Sequence, residues 1–340
     1  MLATNAVDNG AGVEKAQPGE CGQQAGEDAC NLYLRRGSET RFVARLSHED
    51  TSDWRTSRDR SSRVSPNGEW LAFMSDRPLT GYDNSDRTTG EPDHEVYLYH
   101  APSDGEGKLL CPSCDPTGAR PRGVHFGDEI GGPIASTQLS FKTPVAANVP
   151  VWFAEADAGT ESVRQPRYLS DSGRLFFDSV NALAPQDANG TQDVYQYEPQ
   201  AVGGCTAARP SFAQTSSGCV DLISSGASAK ESVLLDASED GNDVFILTNA
   251  SLVAKDIDAA RDVYDASVGG GEPQAVNPPA CEGDACQQPV NPPNDPTPGS
   301  LTFRGAGNLH ETKTKKHKTK KHAKKKHHKR HANKSRRASR

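Results

Sequence analysis

Residues 168–197 read YLSDSGRLFFDSVNALAPQDANGTQDVYQY. Short apolar runs, Leu175-Phe-Phe177 and Val194-Tyr195, are separated by clusters of Ser, Asp, Asn, Gly and Pro. Such a segment predicts strand, tight turn, strand, exposed loop and strand. The same order returns around residues 65–99 and 238–264.

Spacing makes the recurrence specific. Four residues after Ser75, Ser179 and Thr248 comes a leucine: Leu79, Leu183 and Leu252. Four residues further stands an aspartate: Asp83, Asp187 and Asp256. Asp-Val-Tyr then begins six residues on, at Asp193 and Asp262, whereas Glu95-Val-Tyr in the first copy follows six extra residues. Four positions held in register across three copies define a repeat protein. A fourth strand is expected at Lys108-Leu-Leu110 in the first copy and Cys219-Val-Asp-Leu-Ile223 in the second. Asn31-Leu-Tyr-Leu34 and Arg41-Phe-Val-Ala-Arg-Leu46 alternate like two half-buried strands, so the chain opens in the middle of a repeat.

Four-stranded antiparallel units cannot bury both faces alone, and radial stacking covers them while leaving short edges. The expected fold class is therefore all-β: a β-propeller of about three and a half four-stranded blades, N-terminally incomplete, with a disordered tail. Gly68, Gly173 and Gly241 supply the positive φ of the first hairpin in each unit. The loop leucine is expected to plug the gap between blades, and the aspartate before Val-Tyr to accept backbone N–H bonds. Residues 1–29 read as a loop or disordered segment, 30–268 as the repeats with an insertion at 121–160, 269–309 as a Pro/Gly-rich linker and 310–340 as a disordered Lys/His/Arg-rich tail.

The net charge of −7 hides two opposite parts. Residues 313–340 hold 15 of the 38 Lys and Arg and none of the 45 Asp and Glu, which leaves the rest of the chain at −22. Such a tail has almost nothing apolar to bury, and it reads either as merely solvated or as a flexible polycation able to bind phosphate-rich polymers through counterion release, without reading sequence. The residues expected to make those contacts are Lys315, Lys316, Lys320, Lys321, Lys324, Lys325, Lys326, Lys329 and Arg330. Interspersed histidines (His317, His322, His327, His328, His331) add charge below about pH 6.5.

Eight cysteines fall into close pairs: Cys21 with Cys30, Cys111 with Cys114, Cys205 with Cys219, and Cys281 with Cys286. Even pairing in Gly- and Pro-rich loops points to disulfides and an oxidising compartment; free or redox thiols, or zinc at Cys111-Pro-Ser-Cys114, are the alternatives. Residues 1–20 lack the basic and apolar regions of a signal peptide, and no apolar run reaches membrane-spanning length. A leaderless, mid-repeat start together with extracellular-style cysteines fits a chain missing its N-terminal part.

Residues 65–77, Ser-Pro-Asn-Gly-Glu-Trp-Leu-Ala-Phe-Met-Ser-Asp-Arg, resemble the TolB-type, WD40-like β-propeller repeat. The resemblance extends over roughly residues 31–264, with Asn67 in place of the usual Asp. It implies the propeller fold and an extracellular or cell-envelope location, and it implies no particular activity.

No nucleophile elbow, Walker A loop, GxGxxG or HExxH motif is present. Asp187, Asn189 and Asp193 offer oxygen ligands at positions 1, 3 and 7 of a calcium-type loop, but position 12 is Pro199 instead of Glu. The loop reads as an Asx-type loop capping a strand, with calcium as the alternative and no other cofactor implied. Asp256, Asp258 and Asp262 repeat the oxygen spacing. His48, His94, His100 and His125 fall in loops or at strand ends without ligand spacing and read as solvated, a metal at His94 with Glu95 being the alternative. Asn189 and Asn249 open glycosylation sequons.

These features describe a non-catalytic β-propeller binding or scaffold module outside the cytoplasm. Its expected partner is a protein or an anionic cell-envelope polymer. A propeller-type hydrolase, the accessory domain of a peptidase, and a non-specific nucleic-acid binder acting through the tail are the rival readings. Function is expected where the copies differ: the acidic insert at 81–94, the loop at 121–160, and the tail.

Overall fold

The structure is a computed structural model and describes residues 30–50, 54, 61–125, 144–150, 153–157 and 160–270. The chain divides into two units, Met1–Ala275 and Val276–Arg340, and the described residues all lie in the first. The class is all-β. The named strands pair antiparallel, in several open sheets, and an isolated parallel bridge joins His94 to Val145.

β1 (Cys30–Arg36) and β2 (Glu39–Leu46) form the first hairpin. The first repeat unit is a four-stranded sheet in the order β3 (Arg63–Val64), β4 (Trp70–Ser75), β5 (Glu95–His100) and β6 (Lys108–Leu110). Within the stretch 121–160, β7 (Ala147–Asn148) joins the second unit's sheet as an edge strand, and β8 (Phe153–Asp157) begins a hairpin with β9 (Thr160–Arg164). That second sheet continues through β10 (Leu175–Ser179) and β11 (Asp193–Pro199), and ends with β12 (Phe212–Ala213) paired to β13 (Gly218–Leu222). The third unit has three strands, β14 (Ser232–Ala237), β15 (Asp243–Thr248) and β16 (Asp262–Ser267).

Residues held in register across the copies make the same contacts in each unit. The turn serine accepts from the glycine three positions on: Gly68 N–H bonds to Ser65 O at 2.9 Å, Gly173 to Ser170 and Gly241 to Ser238 at 3.0 Å. Each serine hydroxyl then accepts the N–H that opens the second strand, from Trp70, Arg174 and Asp243. The glycines sit at φ of 75°, 82° and 71°, where a Cβ is strained. At Gly173 an added Cβ would also lie 2.5 Å from Trp70 Cε2, so the glycine lets the indole of one unit pack on the turn of the next.

The loop leucines are placed by the tyrosines of Val-Tyr. Leu79, Leu183 and Leu252 donate their N–H to the hydroxyls of Tyr97, Tyr195 and Tyr264 at 3.4, 3.2 and 3.3 Å. In the second and third units the hydroxyl in turn donates to the loop carboxylate, Asp187 or Asp256. In the first unit Tyr97 donates instead to Arg77 O at 2.5 Å, because the longer insert leaves Asp83 bonded to Ser85.

Burial explains why β4 and β10 read as unbroken apolar runs, since both faces are covered. Leu71, Phe73, Tyr97 and Tyr99 pack with Leu32, Leu34, Val43 and Leu46 of the first hairpin. The opposite face, Trp70, Ala72, Met74, Val96 and Leu98, shares one core with Phe177 and Tyr195 of the second unit, and that core runs on to Leu234 and Ile246 of the third. Each large side chain fully buried there contributes roughly 1.5–3 kcal/mol. Asn67 also has a local reason. Its N–H donates to Asp171 Oδ1 at 2.6 Å and its amide to Asp171 O at 2.9 Å. An aspartate in its place would lose the amide bond and turn a carboxylate oxygen toward the Asp171 carbonyl oxygen, acceptor against acceptor.

Candidate functional site

Three ionisable side chains converge where the first hairpin meets the first repeat unit. Asp50 follows β2, Asp76 immediately follows β4, and His94 immediately precedes β5. One ligand atom from each lies within 4.8 Å of the others, and all three residues are buried. His94 Nε2 is 3.4 Å from Asp50 Oδ1.

Backbone pairing fixes these positions. His94 N–H donates to Pro144 O at 2.9 Å and its carbonyl accepts from Ala146 N–H at 3.0 Å, which ties it to the segment leading into β7. Asp50 is oriented by three donors and by one bond that it donates itself. Its Oδ2 accepts from Ser75 Oγ at 2.7 Å and Ser47 N–H at 2.8 Å, its Oδ1 accepts from Asp76 N–H at 3.0 Å, and its own N–H donates to Ser47 Oγ at 3.1 Å. Asp76 is 5% exposed, and its Oδ1 has no hydrogen-bond partner. Burial and the adjacent Asp50 charge push the Asp76 carboxyl up to about 6, against the pull of His94. Next to His94, burial and the charge of Asp86 push Asp93 up to about 7.

The residues expected from the calcium-type loop are engaged locally. Tyr195 donates to Asp187, the Asn189 amide donates to Asp193 Oδ2 at 2.6 Å, and Asn189 Oδ1 accepts from Thr191 N–H at 2.8 Å. Asp193 Oδ1 also accepts from the Ser224 hydroxyl, whose oxygen takes Val194 N–H at 3.0 Å. The first unit repeats this with Glu95 and Ser113: Ser113 Oγ donates to Glu95 Oε2 at 2.5 Å and accepts Val96 N–H at 2.8 Å. Asp256, Asp258 and Asp262 do come together, on a partly exposed loop where Asp256 Oδ2 accepts from Tyr264.

Cys111–Cys114 and Cys205–Cys219 are disulfides, so the CPSC sulfurs are bonded to each other. That short loop places Ser113 against Glu95 and Val96. Cys30 is also disulfide-bonded. Cys21, Cys281, Cys286 and the tail residues Lys315–Arg330 lie outside the described residues. His100 stacks on Trp70, with ring centroids 3.9 Å apart.

Of the buried trio, the sequence pointed only to His94. Asp76 is in register with Val180 and Asn249, and His94 with Gln192 and Arg261. A comparison of the copies at those two positions would have exposed the pair. Asp50 lies between units and has no counterpart in the register. Comparison of the chain with protein-family models, with curated proteins and with solved structures finds no match.

Proposed function

We propose that the stacked sheets are blades of a TolB-type β-propeller, and that the protein is a non-catalytic binding module of the cell exterior or envelope. The folded body presents its loops to a partner. The polycationic tail holds the protein on an anionic polymer.

The observation that supports this reading best is the division of charge: 15 Lys and Arg without an acid in residues 313–340, beside a body of net −22. A body of that charge repels polyanions, so retention falls to the tail. Two disulfides suit an oxidising compartment. Among the described residues no helix is long and apolar enough to cross a membrane. The outer face of the third unit supports the blade reading. Phe245 and Val263, 36% and 58% exposed, stand on the side corresponding to the second-unit face that the third unit covers.

Deletion of residues 313–340 tests the tether. The shortened chain is expected to keep the far-ultraviolet circular dichroism of the body and to lose retention on immobilised polyphosphate at low salt. Undiminished retention would end the tether role.

A further inference from the structure

We propose that Asp50, Asp76 and His94 hold one zinc-class divalent cation, which clasps the segment after the first hairpin to the first repeat unit. Three observations converge on this site.

The first is geometry. Bonds of about 2.0–2.2 Å from zinc to imidazole nitrogen and carboxylate oxygen put tetrahedral ligand atoms roughly 3.3–3.5 Å apart. The His94 Nε2 to Asp50 Oδ1 distance is 3.4 Å, longer than the roughly 2.7–2.9 Å of a charge-assisted hydrogen bond. The second is the Asp76 carboxylate. It is buried beside Asp50 with Oδ1 unpartnered, an arrangement that costs free energy until a cation or proton satisfies it. The Ser75 and Ser47 donors to Asp50 supply the outer shell that orients a ligating carboxylate.

The third is the comparison between copies. The strand-end hydroxyl donates to a backbone carbonyl in the other two units, Ser179 to Ala146 O at 2.9 Å and Thr248 to Glu231 O at 2.8 Å. In the first unit Ser75 donates to the Asp50 carboxylate. The pair at 76 and 94 is Val180 with Gln192 in the second unit and Asn249 with Arg261 in the third, where Arg261 Nε donates to Asn249 Oδ1 at 3.4 Å. The scaffold therefore brings these two positions together without needing an acid or an imidazole. A donor set of two carboxylates and one imidazole selects zinc or its transition-metal neighbours over calcium and magnesium, which take oxygen ligands.

The test uses the full chain, stripped with EDTA, with the thermal midpoint followed in EDTA and then in excess Zn2+. The tail histidines also take up zinc, and the Asp76→Asn variant, which keeps all of them, separates their effect from that of the buried site. Zn2+ at a hundredfold excess over the dissociation constant is expected to raise the midpoint by roughly 5–10 °C. Ca2+ is expected to leave it in place. Asp76→Asn, which installs the residue of the third unit, is expected to fold with an EDTA midpoint at or above that of the parent and to show no Zn2+ shift. His94→Gln, the residue of the second unit, is expected to behave alike, and the near-isosteric Asp76→Asn carries the test if His94→Gln does not fold. A parent midpoint indifferent to Zn2+, a shift with Ca2+ alone, or an undiminished Zn2+ shift in Asp76→Asn would each overturn the site.

Discussion

Arg174→Ala is expected to lower stability by roughly 3–5 kcal/mol, the cost of stranding one partner of a buried ion pair. Arg174 Nη2 lies 2.9 Å from Glu198 Oε1, with both side chains almost wholly buried. The same guanidinium donates to Gly241 O at 2.6 Å and Asn242 Oδ1 at 3.0 Å, so it joins the second unit to the turn of the third. Arg209 reaches Glu198 at 3.2 Å from a more exposed position and offers only partial replacement. Arg174→Lys is expected to recover little, because an ammonium cannot span the carboxylate and both acceptors of the neighbouring turn at once. Equilibrium denaturation with urea measures the loss. A change within about 0.5 kcal/mol, the range of ordinary surface substitutions, would remove Arg174 from the inter-unit contact.

Asp178→Asn is expected to stabilise the protein at neutral pH and to leave it unchanged in acid. Burial pushes the Asp178 carboxyl up to about 8, despite its bond from Leu234 N–H at 2.9 Å. The folded chain therefore holds a proton that the unfolded chain has released. For a carboxyl raised on folding, the stabilising contribution is complete below about pH 4 and is lost as pH rises through about 8. At about pH 7 the loss is on the order of 4 kcal/mol, and asparagine keeps the shape without the charge. Thermal midpoints of parent and variant should coincide near pH 4 and separate progressively toward pH 8, with the variant higher. Parallel curves across that window would show that Asp178 is not held neutral.

Much of the scaffold was legible because it is periodic. Ser65, Ser170 and Ser238, the glycines three residues on, the loop leucines and the tyrosines of Val-Tyr were visible as register and proved to be one set of hydrogen bonds made three times. The loop aspartates were legible as scaffold but not in their partner. Asp187 and Asp256 take a tyrosine hydroxyl from the third strand, a contact across the hairpin that spacing cannot show. β7 was hidden because two residues, Ala147 and Asn148, carry no strand period, and their pairing partner β10 lies some thirty residues away. The buried trio was hidden for the same reason. Asp50 reaches Asp76 and His94 only through tertiary packing, and none of the three lies in a metal-binding motif. His94 was flagged for a metal with Glu95 as its partner. Glu95, however, turns to Ser113, and alternation along the strand sends the two side chains to opposite faces.

The most direct test of the division between acidic body and basic tail is the salt dependence of full-chain binding to a mixed-sequence DNA duplex, used as a uniform polyanion. Release of counterions by six or more tail contacts predicts a slope of log affinity against log salt of about −5 or steeper. The slope should be the same for duplexes of different sequence. A slope near zero, or one that changes with the sequence of the duplex, would contradict a tail that acts as a polycation without reading sequence.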